Sequence, residues 1–99
     1  MTISKTSENG KLKIGIDGRL DTLTAPELEK ELKNSLDGVN ELEFDFTALD
    51  YISSAGLRVL LWAQKKMSGL GGEMYITGAS EDVREIFTIT GFSEILTIK

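Results

Sequence analysis

The sequence contains neither cysteine nor histidine. Without cysteine there can be no disulfide bond, thiolate nucleophile or iron–sulfur cluster. Without histidine there can be no Ser-His-Asp triad, no phosphohistidine and none of the usual zinc sites. Only carboxylates, lysines, tyrosines and hydroxyls remain as chemically reactive side chains. We therefore expect a protein that is not an enzyme and that holds no cofactor and no metal.

Long apolar runs and an excess of basic residues are also missing. The longest apolar run, residues 59–63, is far shorter than the roughly twenty residues of a membrane span. No basic and apolar leader precedes the first predicted strand. Eleven basic residues face 16 acidic ones, and the net charge of −5 opposes attraction to nucleic acids and anionic lipids. We expect a cytoplasmic protein with no direct nucleic-acid partner and no membrane insertion.

The size and composition predict a single folded unit. Ninety-nine residues, 40% of them apolar and 27% charged, are enough for one hydrophobic core and too few for a separate regulatory half. We therefore expect one domain that covers residues 1–99.

Periodic patterns predict the strands. Asn9-Gly10 separates two alternating stretches, which is typical of a β-hairpin with a two-residue turn. Leu42, Phe44 and Phe46 alternate with acidic residues, as in a strand with one polar face. Residues 74–77 predict a further short strand and residues 95–98 a terminal one.

Three helices are predicted between these strands. The first begins at Thr24, with Glu27 completing a capping box and Leu23 packing on Leu28 as a hydrophobic staple. The second covers residues 54–68 and has a broad apolar face. The third begins at Ser80 and ends at Gly91.

The order of these elements predicts an α/β fold. Alternating strands and helices after an N-terminal β-hairpin favour a small domain with a mixed, mostly parallel sheet and amphipathic helices. Ligands and partners meet such sheets at the carboxyl ends of the strands. The loops at residues 18–24 and 47–54 both follow strands, so we expect them to lie together and to form the functional face.

Several residues on this face have competing interpretations. Ser53 and Ser54 precede or open a helix, where a serine either caps the helix or favours an anion. Four aspartates could include a catalytic or metal-binding pair, or could have ordinary roles in turns and at strand ends: Asp17, Asp21, Asp45 and Asp50. The glycines of residues 69–72 follow a helix and precede a strand, the reverse of a phosphate-binding loop, so they predict a turn.

Two segments carry a resemblance to a known family. Residues 18–25, GRLDTLTA, and residues 49–57, LDYISSAGL, closely resemble the corresponding motifs of the anti-sigma factor antagonists in the STAS domain family. Residues 71–74 and 90–92 look like further signatures of that family. The resemblance covers almost the entire chain.

The resemblance implies a switch controlled by phosphorylation. Ser54 matches the family's phosphoacceptor serine, and Ser53 stands where the family usually has aspartate, which makes Ser53 the second candidate. Gly56 and Leu57 match the residues after the phosphoacceptor, and Asp21 matches the acidic residue of the neighbouring partner-binding loop. The implied partner is an anti-sigma factor that is also a serine protein kinase, with a serine phosphatase as a further partner.

Residues next to the two motifs are also expected on the partner-binding surface. Thr22 and Arg58 lie beside the two motifs, whereas Leu57 has the alternative of packing in the core. The expected partner-binding residues are Asp21, Thr22, Ser53, Ser54, Gly56, Leu57 and Arg58. The main alternative function is a STAS module that is never phosphorylated and binds a protein or small ligand, such as an accessory subunit of a transport system.

Overall fold

The computed structural model describes all 99 residues. Five strands are formed: β1 (Thr2–Glu8), β2 (Lys11–Leu20), β3 (Glu41–Asp45), β4 (Leu49–Ile52) and β5 (Glu73–Thr77). Three α-helices lie between or after them: α1 (Ala25–Lys33), α2 (Ser54–Gly69) and α3 (Glu81–Thr90). A single 3₁₀ turn, Phe92–Glu94, follows α3.

The strands form one mixed sheet in the order β1-β2-β3-β5. β1 runs antiparallel to β2 through the predicted hairpin, whereas the β2–β3 and β3–β5 pairs are parallel. The last residues of β2 pair in parallel with β4 instead of β3. The predicted fold class, a small α/β domain with a mostly parallel sheet, is confirmed.

One face of the sheet is apolar and forms the core with the helices. In β2, alternate residues are buried, as the period of two predicts. In β3 and β5 three consecutive residues are buried, because Glu43 and Tyr75 on the opposite face are covered as well. The sheet contributes Leu12, Ile14, Ile16, Leu42, Phe44, Phe46, Met74 and Ile76 to the core, and the helices contribute Ala25, Leu28, Leu32, Leu57, Leu60, Ala63, Met67, Val83 and Phe87.

The opposite face of the sheet is polar, and its charges are paired. Glu43 is only 8% exposed; it accepts a hydrogen bond from the Thr77 hydroxyl at 2.7 Å and faces the Lys11 ammonium at 3.1 Å. The Thr77 hydrogen bond, followed by Lys11 and Lys13, outweighs desolvation and lowers the pKa of Glu43. Tyr75 donates its hydroxyl to Glu41 at 2.6 Å. The carboxylates of Glu41, Glu43 and Asp45 on β3 are therefore paired within the chain.

Two strand predictions differ from the structure. β4 lies inside the predicted loop 47–54. The sequence does not predict this strand, because only its first and last residues are buried and its four residues show no alternation. The predicted terminal strand 95–98 is reduced to one parallel bridge between Ile98 and Ile76, preceded by the 3₁₀ turn.

Helix α2 begins directly after β4 and passes close to the end of β2 at Gly56. A Cβ atom on Gly56 would lie 2.8 Å from both Ile52 Cγ1 and Leu20 Cγ, and 3.0 Å from the backbone oxygen of Leu20. Real Cβ atoms essentially never approach other atoms below 3.0 Å. Glycine at position 56 is therefore required by the packing of α2 against β2 and β4.

We expect Gly56→Ala to destabilise the protein by about 1–2 kcal/mol, because overpacking costs about 1–3 kcal/mol and alanine recovers up to about 1 kcal/mol of helix propensity. Gly69→Ala, in the same helix with nothing within 4 Å, is the matched control and should be neutral or slightly stabilising. Urea denaturation of both variants measures the difference. Equal midpoints for the two variants would contradict this account of Gly56.

Candidate functional site

The two predicted functional loops meet at one edge of the sheet. Parallel pairing of β2 with β4 aligns Arg19 with Tyr51 and Leu20 with Ile52. Beyond the last pair, the Ser53 N–H donates a hydrogen bond to the Leu20 carbonyl at 2.9 Å. The prediction that the loops lie together is confirmed. We call residues 19–24 and 51–58 the rim.

Asp21 organises the first half of the rim. Its Oδ1 accepts hydrogen bonds from the N–H groups of Leu23 at 3.0 Å and Thr24 at 3.1 Å. Its Oδ2 lies 3.7 Å from Nε of Arg19. Thr24 completes the turn: its hydroxyl accepts from the Asp21 N–H and donates to the Arg19 carbonyl, both at 2.8 Å.

These contacts lower the pKa of Asp21. Desolvation by the surrounding loop would by itself raise the pKa, but the Thr24 and Leu23 N–H groups, the Thr24 hydroxyl and the Arg19 guanidinium together outweigh it. The carboxylate is thus ionised at neutral pH and its hydrogen bonds hold the loop in shape. Asp21 therefore has a structural role in shaping the rim in addition to its partial exposure there.

The predicted start of α1 is wrong in its details. Thr24 occupies the N-cap position but makes no side-chain cap hydrogen bond, because its hydroxyl is engaged at the end of β2. The capping box with Glu27 is therefore not formed. The staple is also absent: Leu23 is 89% exposed, whereas Leu28 is fully buried.

Three rim residues were missed by the sequence analysis. The Arg19 guanidinium stacks on Tyr51, with 4.4 Å between its central carbon and the ring centroid. Tyr51 is 36% exposed, and Leu23 lies at the solvent side of the Asp21 turn. The pairing of Arg19 with Tyr51 depends on β4, and the sequence predicts a loop at that position, so it does not predict this pairing.

The two serines differ in accessibility. Ser53 is the N-cap residue of α2, yet its side chain caps no N–H group, and its Oγ is buried without any hydrogen-bond partner. Ser54 is the first helical residue and is exposed. By contrast, Ser80 caps α3 by accepting from the Val83 N–H at 3.2 Å. The interpretation of Ser53 or Ser54 as a side-chain cap is wrong, and the first turn of α2 has no side-chain acceptor.

The remaining predicted residues divide between surface and core. Thr22 and Arg58 are exposed, and with Pro26 and Ala55 they line a groove of about 270 Å³ between the starts of α1 and α2. Gly56 and Leu57 are buried, Leu57 being only 4% exposed. At the surface, the rim therefore presents Thr22, Ser54 and Arg58, with Asp21 and Ser53 partly covered.

The other predicted aspartates lie outside the Asp21 turn: Asp17 and Asp45 line one shallow groove beside the sheet, and Asp50 is exposed on β4. No cluster of three or more acidic side chains has the geometry to hold a metal ion. Asp45 accepts hydrogen bonds from the Thr47 hydroxyl at 2.6 Å and the Thr47 N–H at 3.0 Å, and these lower its pKa. Asp45 thus has the ordinary role of closing a turn. None of the helices has the length and apolar character that crossing a membrane requires.

We expect Asp21→Asn to lower the thermal unfolding midpoint at neutral pH, because asparagine keeps an acceptor oxygen but loses the charge. A carboxyl whose pKa is lowered by folding stabilises the protein above its unfolded pKa of about 3.9 and loses that effect as pH falls through the folded pKa. The difference between wild type and Asp21→Asn should therefore shrink below about pH 4. Asp50→Asn, at an exposed position, is the control; a pH-independent difference for Asp21→Asn would contradict the prediction.

Comparison with known proteins identifies the family. The STAS domain model matches residues 2–99. BtrV of Bordetella bronchiseptica, a candidate anti-sigma factor antagonist, is 35% identical over 99 residues, which cover 99% of this chain and 85% of BtrV. The anti-sigma-B factor antagonist of Staphylococcus aureus is 27% identical over 99% of this chain and 92% of its own length.

Solved structures share the fold. The anti-sigma factor antagonist SpoIIAA in its unphosphorylated form has a TM-score of 0.78 at 14% identity, with coverage of 99% of this chain and 87% of SpoIIAA. SpoIIAA of Bacillus in its phosphorylated form has a TM-score of 0.77 at 15% identity, with coverage of 99% and 91%. The family match over residues 2–99, together with this shared fold, establishes that the chain belongs to the STAS domain family.

Proposed function

We propose that this protein is an anti-sigma factor antagonist whose binding is switched off by phosphorylation of Ser54. Unmodified, the rim docks on an anti-sigma factor and thereby frees the sigma factor. The same partner, acting as a serine kinase, phosphorylates Ser54 and releases the antagonist, and a serine phosphatase restores it. The protein itself has no catalytic role and works in the cytoplasm. The observation that carries this proposal is an exposed serine at the uncapped start of α2, on a rim built by two loops.

Burial favours Ser54 over Ser53 as the phosphoacceptor. A kinase must bring the γ-phosphate in line with the attacking hydroxyl. The Ser54 position is exposed, whereas Ser53 Oγ is completely covered. Modification of Ser53 would require its side chain to leave this buried position first, whereas Ser54 needs no such change.

The fold accommodates a phosphate at Ser54. The phosphate adds about −1.5 to −2 charges to a helix terminus whose first N–H groups have no side-chain acceptor. A negative charge at a helix N-terminus is stabilising by about 0.3–1 kcal/mol. Arg58 is exposed one turn further along the same face of α2. Phosphorylation should therefore leave the shape of the domain unchanged.

The same charge weakens the interface. A partner that covers the rim must either desolvate the phosphate or meet it with its own carboxylates, and both are costly. A penalty of about 3 kcal/mol corresponds to roughly a 150-fold loss of affinity. That change is sufficient for an exchange of partners. The switch thus acts by charge and needs no conformational change.

The names of the relatives support this role. BtrV is a candidate anti-sigma factor antagonist and the Staphylococcus aureus protein is an anti-sigma-B factor antagonist, and each aligns with 99% of this chain. SpoIIAA, which shares the fold, occurs in unphosphorylated and phosphorylated forms.

We expect one phosphate on Ser54 when the protein is incubated with ATP, magnesium and each candidate anti-sigma kinase from the same genome. Tandem mass spectrometry locates the phosphate, which should be lost in Ser54→Ala and kept in Ser53→Ala. Tight binding to a candidate without any modification would favour a STAS module that is never phosphorylated. Phosphate on Ser53 would overturn the choice of Ser54.

The effect of charge on binding is a separate prediction. We expect Ser54→Asp to bind the anti-sigma factor at least tenfold more weakly than Ser54→Asn, because the two side chains are matched in size and differ in charge. Isothermal titration calorimetry measures both dissociation constants. Equal affinities would contradict a switch based on charge.

A further inference from the structure

We propose that Leu23 is the apolar anchor by which the rim holds its partner, an anti-sigma factor that offers an apolar pocket beside a carboxylate. This inference rests on the proposed function. Leu23 is 89% exposed, more than any other large apolar side chain of the chain. Its side chain has no packing role in the folded monomer and is therefore free to contact a partner at the rim.

The backbone of Leu23 is held by hydrogen bonds although its side chain is exposed. Its N–H donates to the Asp21 carboxylate at 3.0 Å, and the neighbouring Thr24 is fixed by hydrogen bonds to both Asp21 and the end of β2. A side chain on a preorganised turn loses little backbone entropy when it is buried by a partner. The Asp21 turn therefore presents Leu23 in a fixed position.

The surroundings of Leu23 have the composition of a binding hot spot. A continuous set of contacts runs from the Leu23 backbone through Asp21 to Arg19, and from Arg19 to the face of Tyr51. Aromatic residues and arginine dominate the residues that carry most binding energy at protein interfaces. Leu23 and Tyr51 thus add apolar and aromatic surface to the rim that contains Ser54.

Charge defines the second feature of the partner. Arg58 is exposed on the rim and forms no ion pair within the chain, whereas Arg19 is already neighboured by Asp21. A partner carboxylate placed opposite Arg58 would be attracted to the unmodified rim. A phosphate on Ser54, one helical turn away, would repel that carboxylate. The anchor at Leu23 and the switch at Ser54 would therefore act on the same partner surface.

The test compares two exposed leucines. Leu70 is 53% exposed and follows the opposite end of α2, about 24 Å from Ser54 at 1.5 Å per residue. We expect Leu23→Ala to raise the dissociation constant for the anti-sigma factor at least tenfold and Leu70→Ala to change it less than twofold. Leu23→Met, which keeps the apolar volume, should restore most of the affinity. Thermal unfolding midpoints should be the same for Leu23→Ala and wild type.

The outcomes separate this inference from the proposed function. If wild-type protein binds none of the anti-sigma factors of its own genome, the proposed function fails, and this inference fails with it. If wild-type protein binds and is phosphorylated on Ser54 but Leu23→Ala binds equally well, only the role of Leu23 is overturned. Equal weakening by Leu23→Ala and Leu70→Ala would also overturn it.

Discussion

The parallel pairing of β2 with β4 is the interaction on which the functional surface depends. It joins only three residue pairs, yet it brings the Leu20 carbonyl to the Ser53 N–H and so fixes where α2 begins. The close approach at Gly56 lets α2 start at that point without strain. The two loops of the rim are distant in the sequence, and these backbone contacts hold them against each other. The exposed side chains of the rim are therefore not needed for this contact.

This arrangement separates the residues that build the rim from those that it displays. Gly56 and Leu57 are buried, and Asp21 satisfies backbone donors within its own turn. Ser54 and Arg58 are exposed beside them. Because buried residues and backbone hydrogen bonds hold the rim in place, a phosphate on Ser54 would change the charge of the rim without changing the shape of the rim. A rigid surface of this kind suits a switch in which affinity alone has to change.

The sequence predicted the elements with a strong hydrophobic period. It did not predict the features that depend on only a few residues. The hairpin at Asn9-Gly10 and the broad apolar face of α2 follow directly from spacing. β4 was missed because four residues are too short to show a period, and with it the stacking of Arg19 on Tyr51. The Thr24 cap is not formed because its hydroxyl already accepts from the Asp21 N–H and donates to the Arg19 carbonyl. The capping box also fails, because the Thr24 N–H that Glu27 would bind donates to Asp21 instead. The choice of Ser54 as candidate phosphoacceptor rests on a family resemblance, whereas the burial of Ser53 Oγ follows from the tertiary structure alone.

The distribution of unsatisfied groups favours the rim as the place of the proposed switch. On the polar face of the sheet, Lys11, Glu43 and Tyr75 already satisfy one another, so these groups are not available to bind another molecule. At the rim, the first turn of α2 lacks a side-chain cap, Arg58 lacks an ion pair and Leu23 lacks a packing partner. Groups that the chain leaves unsatisfied can be satisfied by another molecule. A charge added among them competes directly with that molecule, and the proposed phosphate at Ser54 would be such a charge.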